Sequence, residues 1–244
     1  MLKDHQDAYG HLLYDYFTNK TGQEIVERDD GYIDPSGGLK VYFAEYKDWH
    51  PIEKKAMRYT RGRVLDIGSG ADRHSLYLQG KGLEVTGIDN SPVAIEVCKL
   101  RGLRDGRVVP ISQISSKLGV FDTVLMLGNN FGLFGSYEGA RRLLKKLSKM
   151  TSEKGRIIAG SNDIYQTENR EHLDYHRQNR DRGRMAGQVR LRVRYRKYST
   201  PWFDYLMVSK DEMENILDGT GWGVSRFIES GGPPYIAIID KKKR

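Results

Sequence analysis

The chain has 244 residues, a formal net charge of +8, a single cysteine (Cys98), and 38% hydrophobic residues. That length suits one domain with additions and can bury a sizeable core. One cysteine excludes an intramolecular disulfide or a cysteine metal cluster, and no apolar run approaches the roughly 20 residues that span a bilayer.

Residues 1–60 are rich in Tyr and polar residues and hold helical fragments, read as an N-terminal helical cap. The start, Met1-Leu2-Lys3-Asp4-His5-Gln6-Asp7, lacks the apolar middle of a secretory signal, so the expected location is cytoplasmic. Leu12, Leu13, Tyr16 and Phe17 share one side of a helix over Tyr9 to Phe17. Asp34-Pro35-Ser36-Gly37-Gly38 reads as a turn, and Pro51 starts a helix running to about Tyr59.

Residues 61–162 alternate strand and helix. Val64-Leu65-Asp66-Ile67 is a short apolar strand ending in Gly68-Ser69-Gly70, with a helix through Leu76, Tyr77 and Leu78 behind it. Glu84 to Asp89 is the next strand. Ser91-Pro92 opens a helix, with Ser91 as N-cap and Pro92 at the first helical position. Strands are predicted at 108–111, 121–127 and 156–160, with a helix over 138–150 carrying Ala140, Leu143, Leu144, Leu147 and Met150 on one face. This alternation implies a parallel sheet with helices on both faces. In residues 163–244 the pattern changes. Val189 to Lys197 alternates apolar residues with Arg190, Arg192, Arg194 and Arg196, and Trp202 to Leu206 is its predicted hairpin partner. Ser209 and Glu212 form a capping box. Two strands, 224–229 and 235–240, close the chain.

The most informative stretch is the strand running into Gly68-Ser69-Gly70. Glycine there lets backbone approach a ligand and adopt dihedrals that a Cβ blocks. Asp89 closes the next strand, where a carboxylate accepts hydrogen bonds from both hydroxyls of a ribose. Two ligands compete for such a site. A dinucleotide needs a third glycine that leaves the helix N-terminus open to pyrophosphate, but Arg73 stands three residues after Gly70. Asp66 precedes the glycines, and its charge repels pyrophosphate and suits a cation. S-adenosylmethionine carries an ammonium and a sulfonium and no phosphate.

Asp66-x-Gly68-x-Gly70, Gly87-Ile88-Asp89-Asn90-Ser91-Pro92 and Phe121-Asp122-Thr123-Val124 together resemble class I S-adenosylmethionine-dependent methyltransferases. The resemblance implies a Rossmann-like α/β fold, with a seven-stranded, mostly parallel sheet, an antiparallel last strand and helices on both faces. It implies that Gly68 and Gly70 pass under the methionine part of the cofactor and that Asp89 holds the ribose, with Asp66, Ser69 and Asn90 also expected among the cofactor-binding residues. Ser112 and Gln113 stand where the family often has an acidic residue beside the adenine, and Leu127 lies at the end of the fourth strand.

Methyl transfer needs alignment and exclusion of water more than acid or base groups, so no catalytic signature is fixed by spacing. Asn129 and Asn130 follow the fourth strand, beside the expected methyl position, and are candidates for orienting an acceptor. Tyr9, Tyr42, Trp202, Tyr205 and Asn130 are candidate acceptor-lining residues. His172 and His176 have a metal-compatible spacing but no third ligand, so no metal is expected. Between Arg177 and Lys197 stand nine Lys or Arg against one acid, Asp181. That segment is either a wet outer face or an arm that grips phosphates. The expected organisation is a cap (1–60), a core (61–162 and 206–244) and an inserted helix and β-hairpin lid (163–205). The expected acceptor is a small molecule, with RNA or protein as the alternative, no membrane partner, and a monomer or homodimer.

Overall fold

A computed structural model describes residues 1–34 and 38–242. Helix α1 (Ala8–Asn19) begins at Asp7, whose carboxylate accepts the Gly10 N–H at 3.0 Å. β1 (Ile25–Arg28) and β2 (Ile33–Asp34) form an antiparallel pair, followed by a short α2 (Lys40–Phe43). Besides helical segments, the first 60 residues therefore hold a strand pair that the sequence reading did not include. The predicted turn at 34–38 falls on residues 35–37, outside the described residues. α3 (Pro51–Met57) starts on Pro51, whose missing N–H would have no partner in a first turn anyway.

β3 (Val64–Ile67), α4 (Arg73–Gly80), β4 (Val85–Asp89) and α5 (Pro92–Leu100) follow as predicted. The third core strand, predicted over 108–111, is instead β5 (Gly106–Val108). Pro110 has no N–H to give a ladder, and Ile111–Gln113 winds into a 3-10 turn. β6 (Phe121–Met126), α6 (Tyr137–Lys149) and β7 (Thr151–Asn162) come next, β7 starting earlier than predicted. Then come α7 (Arg170–Asp181), β8 (Gln188–Tyr195), β9 (Tyr198–Ser199), β10 (Phe203–Leu206), α8 (Lys210–Leu217), β11 (Trp222–Glu229) and β12 (Pro234–Lys241).

Seven strands form one sheet in the order β11-β12-β7-β6-β3-β4-β5. β4 pairs with β5 and β6 with β7 in parallel, whereas the last strand, β12, is antiparallel to both β7 and β11. The apolar run of β6 fits a strand covered on both faces. A second sheet runs β10-β8-β1-β2 with β9 on β8. The turn-linked partner of β8 is β9, paired as Arg194↔Ser199 and Tyr195↔Tyr198 around a left-handed Arg196 at φ 49°. The predicted partner, β10, is also a hydrogen-bonded neighbour of β8.

The chain divides into two compact units: Met1–Trp49, Leu65–Gln113 and Arg190–Phe203, and His50–Val64, Ile114–Val189 and Asp204–Arg244. In the first, Ala8, Leu12 and Leu13 of α1 pack with Leu39, Ala71, Ala94, Val193 and Tyr195. In the second, α6 buries Leu143, Leu144 and Leu147, and the buried Trp222 indole N–H donates to the Leu144 carbonyl at 2.9 Å. Each such leucine contributes about 2 kcal/mol by leaving water. Ser209 and Glu212 complete the predicted capping box of α8.

Candidate functional site

Within the first unit, the turns leaving β3 and β4 are tied to one another. Gly68 and Gly70 are left-handed, at φ 72° and 57°, which a residue with a Cβ adopts only with strain. The Gly68 and Ser69 N–H groups donate to the Ile88 carbonyl at 2.8 and 3.1 Å. Asp89 answers from β4: its Oδ2 accepts the Gly70 N–H at 3.2 Å and its Oδ1 the Ser91 N–H at 3.0 Å. Each oxygen keeps a further lone pair. Burial, reinforced by the charge of Asp7, pushes the Asp89 carboxyl up to about 6 against the pull of those backbone donors.

Asp66, also buried, accepts the Ser75 hydroxyl of α4 at 2.7 Å, so one of its oxygens is already engaged. Burial raises its pKa, and His74, Ser75 and Arg73 counter that rise. Sequence reasoning missed Asp72. It is left-handed at φ 76° and 1% exposed, and neither carboxylate oxygen has a hydrogen-bond partner. Burial, then the neighbouring Asp66, pushes it up to about 7. Cys98 is a buried core residue whose thiol donates to the Gly70 carbonyl at 3.2 Å, and burial drives its pKa up.

Two predicted acceptor residues meet beside these turns. A Cβ on Gly70 would stand 3.7 Å from the Tyr42 ring. Tyr9 meets Tyr42 edge to face at 5.3 Å. Burial is the main force raising both phenols, and the charge of nearby Glu24 adds to it. Glu24, unnoticed in the sequence, is 3% exposed. Asp7 was also missed, although an acid three residues ahead of Gly10 is an N-cap signal. It accepts the Ser91 hydroxyl at 2.8 Å and the Val93 N–H at 3.1 Å, so one carboxylate caps both α1 and α5. Asn90, Ser112 and Gln113 are exposed. Trp202 lies under the Arg192 guanidinium at 4.7 Å.

In the second unit, the buried Leu127 leads to Gly128 and a left-handed Asn129 at φ 68°. The Asn129 Oδ1 is buried without a partner. Tyr205 donates its hydroxyl to the Asn129 carbonyl at 2.6 Å, and a Cβ on Gly132 would fall 2.2 Å from the Tyr205 ring. The structure thus joins Asn129 to Tyr205, while Asn130 opens a 3-10 turn. Among the described residues, no group of three His, Cys, Asp or Glu is arranged to hold a metal ion, and no helix is long and apolar enough to cross a membrane.

The arginines of β8 are engaged. Glu27 of β1 binds Arg192 at 2.8 Å and Arg194 at 3.2 Å, and Asp15 binds Arg196 at 3.0 Å. Arg184 meets Asp204 at 2.8 Å.

Residues 65–159 match the model of a methyltransferase domain. A solved S-adenosylmethionine-dependent methyltransferase from Bacteroides fragilis, in complex with S-adenosyl-L-homocysteine, is 26% identical. It superposes with a TM-score of 0.84 over 100% of this chain and 98% of that one. The domain at residues 65–159 is thus of the class I, Rossmann-like, S-adenosylmethionine-dependent methyltransferase kind. A methyltransferase of Methanosarcina mazei shares the fold, with a TM-score of 0.61, 18% identity, and coverage of 81% of this chain and 100% of that one. Among curated proteins, a ubiquinone biosynthesis O-methyltransferase of Nitrosococcus oceani is 31% identical over 34% of this methyltransferase. A probable non-canonical nonribosomal peptide synthetase of Salinispora arenicola is 27% identical over 65% of it. The methyltransferase spans 41% and 2% of the lengths of these two relatives.

The family's cofactor is S-adenosylmethionine, and the first unit of this methyltransferase fits it. Left-handed glycines open backbone to a ligand, the spare lone pairs of Asp89 suit two ribose hydroxyls, and buried Asp66, Asp72 and Asp89 favour a cation over a pyrophosphate.

Proposed function

We propose that the chain transfers a methyl group from S-adenosylmethionine to a nitrogen or oxygen of a small-molecule acceptor. The observation that carries this reading is Asp89, held by two backbone N–H groups beside the glycine turn and keeping lone pairs to spare. In this reading Gly68, Ser69 and Gly70 run along the methionine part and Asp66 supports its ammonium. Asp89 and Asn90 hold the ribose, and Ser112 and Gln113 flank the adenine. The bound cofactor supplies an electrophilic methyl on a sulfonium whose departure needs no acid. The protein's task is then orientation and the exclusion of water. In the first unit Tyr9, Tyr42 and Trp202 are the candidates for contact with the acceptor; in the second the candidates are Asn130, Tyr205 and Asn129, whose buried Oδ1 has no hydrogen-bond partner. Residues 1–60 and the inserted segment 163–205 carry the acceptor specificity.

The ion pairs of β8 favour a small acceptor over RNA or an acidic protein surface. Glu27 and Asp15 already take Arg192, Arg194 and Arg196, so gripping a polyanion means breaking those pairs. Calorimetry with S-adenosylmethionine, S-adenosylhomocysteine and NAD tests the cofactor: the first two bind and NAD does not. Binding of NAD in their place overturns the reading. Replacing Arg190, Arg192 and Arg194 with Ser leaves heparin retention largely unchanged. A collapse of retention at every salt concentration favours a polyanion acceptor.

A further inference from the structure

Within the second unit, the turn after β6 is held closely by its neighbours. Asn129 stands at the bend in the left-handed region, at φ 68°, just ahead of the 3-10 turn Asn130–Phe134. On one side lies Gly160 of β7: a Cβ there would come 3.3 Å from the Asn129 backbone nitrogen. On the other lies β10. Cβ atoms on Gly132 and Gly135 would meet the Tyr205 ring and the Asp204 carbonyl, so two missing side chains let the strand close up. β10 is itself clamped. Arg184 and Gln188 bind the Asp204 carboxylate at 2.8 and 3.1 Å, and the Met207 N–H donates to the Gly187 carbonyl at 2.9 Å. From this clamped strand the Tyr205 hydroxyl donates to the Asn129 carbonyl at 2.6 Å. Amid these fixed contacts the Asn129 Oδ1 is buried and has no hydrogen-bond partner.

Conformation alone accounts for an asparagine at such a bend, since Asn tolerates left-handed backbone better than most residues that carry a Cβ. It does not account for an amide oxygen buried without a donor, nor for a tyrosine hydroxyl committed to this one carbonyl. We propose that Asn129 reads a hydrogen on the atom that is methylated, so that the acceptor is a primary or secondary amine or a hydroxyl, and that Tyr205 is the positioning residue that fixes Asn129 for this. The proposal rests on the small-molecule reading above and narrows it. An amide oxygen accepts a hydrogen bond but is no base, so Asn129 orients the acceptor's lone pair and takes no proton. In the transfer that lone pair forms the bond to the methyl carbon. The C–S bond breaks and leaves its electron pair on sulfur. The hydrogen that Oδ1 had held leaves as a proton to water. A tertiary amine, a ring nitrogen without hydrogen or a carboxylate offers Oδ1 no donor and sets a lone pair against it.

The experiment incubates the full chain with tritiated S-adenosylmethionine and a protein-free metabolite extract, then locates the labelled methyl by tandem mass spectrometry. The acceptor so identified is used to compare wild type with Asn129→Gly, Tyr205→Phe and the double variant, alongside urea midpoints and calorimetry with S-adenosylhomocysteine. Glycine adopts left-handed backbone without strain, so Asn129→Gly keeps the bend and loses the amide. The expected result is label on a nitrogen or oxygen that carried hydrogen. Asn129→Gly unfolds at the wild-type urea midpoint or above it, yet its rate falls about tenfold, the loss of one hydrogen bond. Its affinity for S-adenosylhomocysteine stays within about threefold of wild type. Tyr205→Phe keeps the ring against Gly132, lowers kcat about fivefold with KM little changed, and adds little to the loss in Asn129→Gly, because it acts through that side chain. Label on a nitrogen or oxygen that carried no hydrogen overturns the proposal and leaves the small-molecule reading intact. A full rate in Asn129→Gly assigns the asparagine to backbone conformation alone and overturns it as well. Loss of S-adenosylhomocysteine affinity in that variant assigns Asn129 to the cofactor instead. Independent losses in the double variant remove the positioning role from Tyr205. No labelled small molecule from a wild type that binds S-adenosylhomocysteine overturns both readings. If Asn129→Gly fails to fold by circular dichroism, Asn129→Ala is read in its place, and a full rate there overturns the proposal.

Discussion

The sheet around β8 and the turns that leave β3 and β6 treat polar groups in opposite ways. On β8 and β1 each acid meets a base: Glu27 serves Arg192 and Arg194, and Arg28 grips Asp30 at 2.7 Å. At the strand-end turns, Asp72 and Asn129 are both left-handed without being glycine, and both bury side-chain oxygens that lack partners. Left-handed backbone in such residues costs on the order of 1 kcal/mol or more, and an orphaned buried oxygen a similar amount. A chain carries such costs where something other than stability is served. Satisfied charges, however conspicuous in the sequence, mark architecture; strained and unsatisfied ones mark candidate functional positions in each unit.

Four substitutions probe that contrast. Asp89→Ala removes the proposed ribose acceptor and is expected to weaken S-adenosylmethionine and S-adenosylhomocysteine by about 100-fold each in calorimetry, the loss of two hydrogen bonds to a charged group. Asp72→Asn tests the strained turn through pH. The folded form holds the Asp72 proton up to about pH 7, against an ordinary value of 3.8. Stability from this group is therefore greatest at low pH and drains away as pH rises toward 7. The cost is on the order of a few kcal/mol, at about 1.4 kcal/mol per unit. Urea midpoints of the ligand-free protein should fall from pH 5 to pH 8 in wild type and stay flatter in Asp72→Asn; equal slopes would refute the assignment. Gly132→Ala pushes the Tyr205 ring off Asn129 and is expected to slow methyl transfer about tenfold, with cofactor binding little changed. Glu27→Gln, on the paired sheet, should cost about 1 kcal/mol or less in denaturant titrations while lengthening retention on heparin, because two arginines are released. A larger loss of stability there would erase the distinction between the two regions.

Local signals in the sequence were readable. Glycine spacing, the Ser91-Pro92 helix start and the Ser209/Glu212 box each depend on residues a few positions apart, and each forms as read. β1 and β2 escaped notice because they are short and because the partner of β1 is remote: Glu27 and Arg192 are 165 residues apart. Glu24 was hidden as well: no local pattern in the sequence announces an acid at 3% exposure. Asp72 gave no sign either. An acid after a glycine turn reads as solvated, and only its left-handed φ and 1% exposure show otherwise. The ion pairs of the basic segment were not legible either, because its counter-ions come from β1 and α1 and not from its own hairpin.

Asp7 links motions that would otherwise be separate. A single carboxylate terminates α1 and also receives Ser91 and Val93, the residues that follow Asp89. Fraying of the leading helix and loosening of the turn after Asp89 then become one opening event. In native-state hydrogen exchange, the amides of Gly10 and Val93, though 83 positions apart by number, would trade their protons at a common rate.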